Sequence, residues 1–418
     1  MSGSDEELDK RRQAIRWYRA GVSYTTICER LHRSRPWLAK WVARFKVHSW
    51  RGLRNQSRRP RHFRRPVSAT LAKRIVAVRA ELEEHRTRRS RYRGVGAVDV
   101  QDLLRQERRR PLPSLRTIER VLQRAACGRR APRRGPLSRP PYPHLRATQA
   151  GDLQQTDLVG PRYLRTRPRP TRFYSLHTIA VIGRGAWASQ HRHKTAAAFE
   201  QHFVQVWQHL GVPRVSQLDN EMAATGGGRH AFGLSRVVRL HLLVRTHLVF
   251  VPKGEPGRNQ LVESFNALWQ QRVLGLEHRD LRRVREASRG FLRFYHDRKA
   301  HRALTVARDG TRFPGAWLRQ RRDDLRWVPA DFAPARYASA RGQLPVAAGR
   351  VSWIQRVDAD GCITINARPY FVGRRRTGHY VQATLYTRRQ VVVVYSAERR
   401  RLKVFPFPIR EEIIRPVL

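Results

Sequence analysis

The sequence predicts a multidomain chain: all-α helix-turn-helix modules first, then a central α/β domain, then a small C-terminal β-barrel. Three observations carry this. Helices with apolar stripes and cap residues fill the region up to about residue 126. Strand-like and helix-like segments alternate from 151 to about 320. Short strand-like runs broken by turn residues occupy 347–410. A chain of 418 residues has room for several such domains.

The first module spans 9–60. LDKRRQAIRWYRAG spaces Ile15, Tyr18 and Ala20 as a helix and stops at Gly21. SYTTICERL is a short second helix. SRPWLAKWVARF is a third, with Leu38, Trp41, Val42 and Phe45 at i, i+3, i+4, i+7. Ser34 is a cap residue and Pro36 falls in the first turn. Helix, short helix, tight turn and helix make a helix-turn-helix pattern. Its other face offers Arg35, Lys40 and Arg44 to DNA, or simply to solvent as a basic face. A basic joint, GLRNQSRRPRHFRRP, follows.

Residues 67–126 repeat the theme as a second helix-turn-helix or winged-helix module. Ser114 is its cap residue, Ile118, Val121 and Leu122 its inward stripe, and Arg116 a candidate DNA contact. Residues 127–150 are dense in Pro and Arg and read as a basic linker. The α/β domain, 151–320, opens with LQQTDLVG, TRFYSLHTIAVIG and AWASQHRH as strands. TAAAFEQHFVQVWQHLG is a helix, VSQLDN a strand, HLLVRTHLVFVP leads into a strand, and GRNQLVESFNALWQQRVL is a helix.

Charge points to the partner. Lys plus Arg number 86 against 32 Asp plus Glu, a formal net charge of +54. A GC-rich coding bias accounts for part of the arginine but does not force so few acids. A polyanion, above all nucleic acid, is the expected partner. Cys28, Cys127 and Cys362 stand too far apart for a zinc ligand set or a disulfide framework. No apolar run of 18 residues suggests a membrane span, and MSGSDEELDKRR has no apolar leader core.

Acid is scarce, so its placement is informative. Asp157 lies in the first strand of the α/β region, Asp219 ends a later strand, and Glu263 lies on the helix after KGEPGRN. On a helical wheel Glu263 falls outside the apolar arc, on the side shared by Asn259, Asn266 and Gln270. Three gathered carboxylates repel one another unless cations neutralise them. Oxygen ligands suit Mg²⁺ or Mn²⁺, and two such ions about 3.5–4 Å apart serve phosphoryl transfer. Taken singly, Asp157 reads equally as a salt-bridge partner, Asp219 as a turn residue and Glu263 as a solvated helix position. Lys253 and Arg258, at the start of the Glu263 helix, are candidates to hold phosphates. His177 reads first as a satisfied core histidine.

The same residues carry a resemblance. TDLVGPRY, QLDNE, PGRNQLVESFN and FYHDRKAHRAL, in that order, resemble the motifs of bacterial insertion-sequence transposases with a retroviral-integrase-type DDE core. The resemblance covers most of the chain. It implies an RNase H-like core with Asp157, Asp219 and Glu263 catalytic and metal-bound, supported by Asn220, Asn259 and His301. It implies metal-dependent cleavage and strand transfer on double-stranded DNA, both the element's terminal repeats and a target, by a homo-multimer associated with the bacterial nucleoid in the cytoplasm. Glu221 and Gln260 stand where the family often has Gly, and Asp219 and Glu263 lie 44 positions apart, wider than the common family spacing. The extra length is expected in residues 225–236. Two alternatives remain: a DNA-binding repressor or architectural protein derived from a decayed transposase, and a nuclease without joining activity.

Overall fold

The computed structural model describes residues 3–55, 67–85, 87, 89–127, 140–164, 169–219, 232–252, 255, 257–306 and 311–418. They fall into two compact units, Met1–Val67 and Ser68–Leu418. Most of the basic joint, most of the expected linker and residues 225–231 of the expected insertion lie outside the described residues.

Three helices build the first unit: α1 (Gly3–Arg19), α2 (Tyr24–Leu31) and α3 (Arg35–His48). Gly21 follows α1 at φ +80°, where any side chain would be strained. Ser23 Oγ accepts from the Thr26 amide (3.2 Å) and starts α2. Ser34 sits at the cap position of α3 with Pro36 in the first turn, but its side chain makes no capping bond. Leu38, Trp41 and Val42 are buried against Ile15, Ile27 and Leu53, with Phe45 at the rim of the cluster. Burying each such aliphatic side chain is worth roughly 1.5–3 kcal/mol, which offsets the weak helix propensity of these short segments.

The second unit opens with α4 (Ala69–Glu84), α5 (Ala97–Gln106) and α6 (Leu115–Arg124). Ser114 caps α6 through the Thr117 amide (3.2 Å), and Ile118, Val121 and Leu122 are buried as the stripe predicted. Then come β1 (Leu153–Leu164), β2 (Thr171–Ala180), β3 (Ala186–His191), α7 (Ala196–Leu210), β4 (Val215–Asp219), α8 (Arg236–Leu243), β5 (His247–Val251), α9 (Gln260–Trp269) and α10 (Leu281–Asp297). β1, β2 and β3 form an antiparallel meander, while β4 joins β1 and β5 joins β4 in parallel. Side chains alternate across β2. Leu176 packs with Phe199, Phe203 and Trp207 of α7 on one face. Phe173 and Ile179 pack with Val262, Phe265 and Trp269 of α9 and Phe291 of α10 on the other. The predicted α/β domain is therefore a mixed sheet with helices on both faces.

The C-terminal strands are β6 (Val346–Ala347), β7 (Arg350–Arg356), β8 (Cys362–Ile365), β9 (Arg368–Phe371), β10 (Tyr380–Tyr386), β11 (Val391–Ser396), β12 (Arg401–Pro406) and β13 (Ile413–Ile414). The small β-barrel expected over 347–410 is not confirmed. β7 pairs in parallel with β5, Leu248 opposite Val351, and β10, β11 and β12 follow antiparallel. They carry the core sheet on to nine strands, with β12 and β3 at its edges. The physical reason lies in β5. Its residues Leu248–Val251 are almost wholly buried, and an open edge there would leave apolar side chains and ladder groups unpaired. Trp353 stacks on Phe250 (ring centroids 5.9 Å apart) and seals that edge. β8 and β9 form a separate hairpin, and β6 pairs with β13.

Candidate catalytic site and DNA interface

β1 and β4 run parallel with Thr156 opposite Leu218. Asp157 and Asp219 are the next residues on the two strands, so their backbones are neighbours about 4.8 Å apart. Both side chains are half-buried. Asp157 accepts from its neighbour's amide, Leu158 N (2.8 Å), on Oδ1 and from Asn266 Nδ2 (2.6 Å) on Oδ2. Asp219 Oδ1 accepts from Asn259 Nδ2 (2.8 Å). Asn259, Glu263 and Asn266 stand at i, i+4 and i+7, on one face at the start of α9. Glu263 thus lies between the two amides that hold the two aspartates. Its Oε1 accepts from the Gly257 amide (3.3 Å).

Each amide is itself held from behind. A carboxylate only accepts, so the bond to Asp157 fixes Asn266 with its oxygen toward His177. His177 Nδ1 lies 2.6 Å from that oxygen and must carry the proton. Its Nε2 then accepts from Ser175 Oγ (2.7 Å), which in turn accepts from Gln190 Nε2 (3.0 Å). Burial holds the imidazole neutral, with a pKa lowered to about 3, although the bond to Asn266 pulls the other way. On the β4 side, Gln217 Nε2 donates to Asn259 Oδ1 (2.5 Å) and to the Arg258 carbonyl (2.9 Å). Gln155 Oε1 accepts from the Leu261 amide (3.2 Å) and pins the first turn of α9 to β1. The N-terminal end of that helix also favours negative charge nearby.

Gln155 and Gln217 escaped the sequence reading, since polar residues inside a strand read as incidental. His177 reads in sequence first as a core histidine, with a place facing the site as the second reading. Asn266 was signalled by its wheel position beside Glu263.

The donor set suits a hard divalent cation: all three acids offer oxygen, and their amide partners leave further lone pairs. The grouping is open, however. Among the described residues no three His, Cys, Asp or Glu side chains are clustered to hold an ion.

The remaining expected residues are less uniform. Asn220 and Lys253 lie outside the described residues. Arg258 does not face solvent as a phosphate ligand would. Its guanidinium lies 3.6 Å from the Tyr142 ring centre, near Tyr380, and pairs with Glu255 (3.0 Å). His301 packs edge-on to Tyr295 (4.8 Å), whose other neighbours are Phe265 and Phe291. It is half-buried at the margin of that cluster, with desolvation lowering its pKa to about 3.

On the first unit, Arg35 and Lys40 are exposed on α3, alongside Ala39 and Ala43, whose small side chains leave that face accessible. Arg44 is turned inward: its guanidinium covers Trp41 (4.7 Å) and donates to the Arg54 carbonyl (3.0 Å). It is a clamp of the fold. Arg116 is exposed on α6.

Residues 5–49 match the homeodomain-like domain family. No curated protein matches the chain. Among solved structures it is similar to a chain of the simian T-cell lymphotropic virus intasome in complex with PP2A regulatory subunit B56 gamma. The identity is 12%, the match covers 73% of this chain and 92% of that one, and the TM-score is 0.33. It is similar to the HTLV-2 integrase catalytic core domain in complex with magnesium, at 12% identity over 41% of this chain and 98% of that one, TM-score 0.30. The BIV integrase catalytic core gives 14% identity, 42% and 99% coverage and a TM-score of 0.31. At these scores the likeness is similarity alone, and the chemistry of the site is read from its own residues.

Proposed function

We propose that the chain is a DNA transposase or integrase that cuts and rejoins phosphodiester bonds at Asp157, Asp219 and Glu263. One observation carries the reading: Asp157, inside β1, and Asp219, closing β4, stand side by side on adjacent parallel strands under a single helix face, and that face sets Glu263 between their amide partners. Bound Mg²⁺ or Mn²⁺, two ions in this reading, would activate the attacking oxygen and neutralise the leaving one. The chain's own residues do the positioning. Asn266 and Asn259 fix the planes of the two aspartates, and His177 and Gln217 fix those amides. Glu263 completes the set once its bond to the Gly257 amide opens. The mixed sheet with helices on both faces supports an RNase H-like core. The homeodomain-like unit would select the terminal repeats through Arg35 and Lys40, with Arg116 on α6 a further contact. Joining two DNA ends requires two active sites, hence a homo-multimer, acting on the nucleoid in the cytoplasm.

The test pairs the protein with labelled duplexes carrying the repeats that flank its gene, in Mg²⁺ and in Mn²⁺, beside Asp157→Asn. Joined products that disappear in the variant would support the reading. The open grouping of the acids gives a second reading its footing: a DNA-binding protein without catalysis. Repeat binding with no cleavage by either protein would favour it, and cleavage without joining would favour a nuclease.

A further inference from the structure

Four neighbouring strands, β1, β4, β5 and β7, run parallel. Asp157 lies toward one end of this group and Asp219 closes β4 there. The opposite, strand-start end carries arginine. Arg214 immediately precedes β4, Arg245 lies two residues before β5, and Arg350 opens β7. Val215 stands opposite His247 and Leu248 opposite Val351, so Arg214 falls level with Thr246 and Arg350 with His247. The three arginines are exposed and, with Arg326, line one hollow of about 680 Å³. Among the described residues no Asp or Glu side chain lines it. An adjoining hollow of about 620 Å³ shares Arg214 and Arg326 and adds Arg321, whose partner is Asp324 (3.2 Å).

Arginine is abundant in this chain, so a few on a surface would mean little. This row is set apart by its grouping, four arginines around one hollow. Elsewhere in the second unit Arg236 pairs with Glu200, Arg239 with Glu411 and Arg258 with Glu255. Here Asp152 lies 3.6 Å from Arg214 and already accepts from Thr148 and Gln149. Arg326 is locked in place by the carbonyls of Val244 (2.6 Å) and Arg245 (3.3 Å) at the end of α8. Burial and then repulsion from Arg245 and Arg214 lower its pKa, as expected where positive charges meet without acids between them.

We infer that this strand-start edge binds the phosphate backbone of a second segment of duplex DNA, away from the segment held at Asp157 and Asp219. This rests on the reading of the chain as a DNA-processing protein. The row crosses two strand separations, roughly 10 Å, about the axial length of three phosphates of one DNA strand. The five residues from Arg214 to Asp219 span about 16 Å of extended chain, which separates the two segments across the sheet. Guanidinium suits phosphate oxygens in paired hydrogen bonds.

The experiment measures duplex affinity against salt for the full chain and for a variant combining Arg214→Gln, Arg245→Gln and Arg350→Gln. Arg326 is left intact because it caps α8. Loss of three phosphate contacts should reduce the slope of log K against log salt by about 2.7, with each single substitution giving about 0.9. Melting temperatures report that each variant is folded. A triple variant with the unmodified slope overturns this inference alone. Failure of the unmodified chain to bind any duplex overturns the proposed function with it. Inorganic phosphate bound at the row without any change in duplex binding would mark a free-anion site and overturn the duplex assignment.

Discussion

Replacing Asn266 by Leu keeps its heavy-atom count and branching and removes both of its bonds. Asp157 loses a charge-assisted bond of 2.6 Å, and the buried N–H of His177 loses its acceptor. A bond to a charged group contributes about 1.5–3 kcal/mol, and a stranded buried donor costs about 1–3 kcal/mol. Part of that loss should appear as a lower melting temperature. The rest should appear at the carboxylates, because removing a group that orients a metal ligand typically weakens binding by about 10–100-fold. Calorimetric titration with Mn²⁺, beside thermal melts, separates the two. His177→Phe should weaken Mn²⁺ binding less, since Asn266 keeps its contact but loses its orientation. His177→Asn, which can present an N–H near the Nδ1 position, should recover most of the loss. An Asn266→Leu variant that melts earlier yet binds Mn²⁺ like the unmodified chain would refute the positioning role and leave Asn266 a packing residue.

Three other outcomes follow from the same geometry. Burial lowers the pKa of His177 to about 3, of His241 to about 4 and of His202 well below its ordinary value. The unfolded chain therefore binds protons that the folded one refuses as pH drops below about 6.5, so stability is full above that value and falls at about 4 kcal/mol per pH unit for the three. Melting temperatures that stay flat from pH 7 to pH 5 would contradict their burial. Arg44→Gln should lower the melting temperature of the first unit by releasing Trp41, whereas Arg35→Gln should leave it unchanged and weaken DNA binding, reducing the salt slope by about 0.9. Trp207→Ala, at a site with no solvent exposure, should cost about 3–5 kcal/mol in chemical denaturation.

Local signals explain what could be read from the chain alone. Cap residues and 3.6-residue stripes marked α3 and α6, and the run of strands and helices marked the core. The wheel position of Glu263 beside Asn259 and Asn266 foretold the helix face that meets Asp157 and Asp219. Long-range pairing left no such mark. Nothing in VSWIQR says that its partner is LVFV, a hundred residues earlier, so the tail read as a domain of its own. Arg44 and Arg258 looked like DNA contacts because charge is visible in a sequence and the aromatic surfaces that engage them are not. Gln217 serves its site through one bond to Asn259, a relation set by the packing of α9 on the sheet.

The shared ladder between β5 and β7 bears on how this protein can be cut into pieces. A fragment ending near residue 320 looks like a natural catalytic core, yet it would strip β7 from Leu248, Val249 and Phe250. The bare rim would present both apolar side chains and unpaired amides, a template for sticking to other copies. Preparations of the core for crystallisation or inhibitor screening should therefore retain residues through Ile414, which keeps β12, the buried Phe407 and the β13 partner of β6.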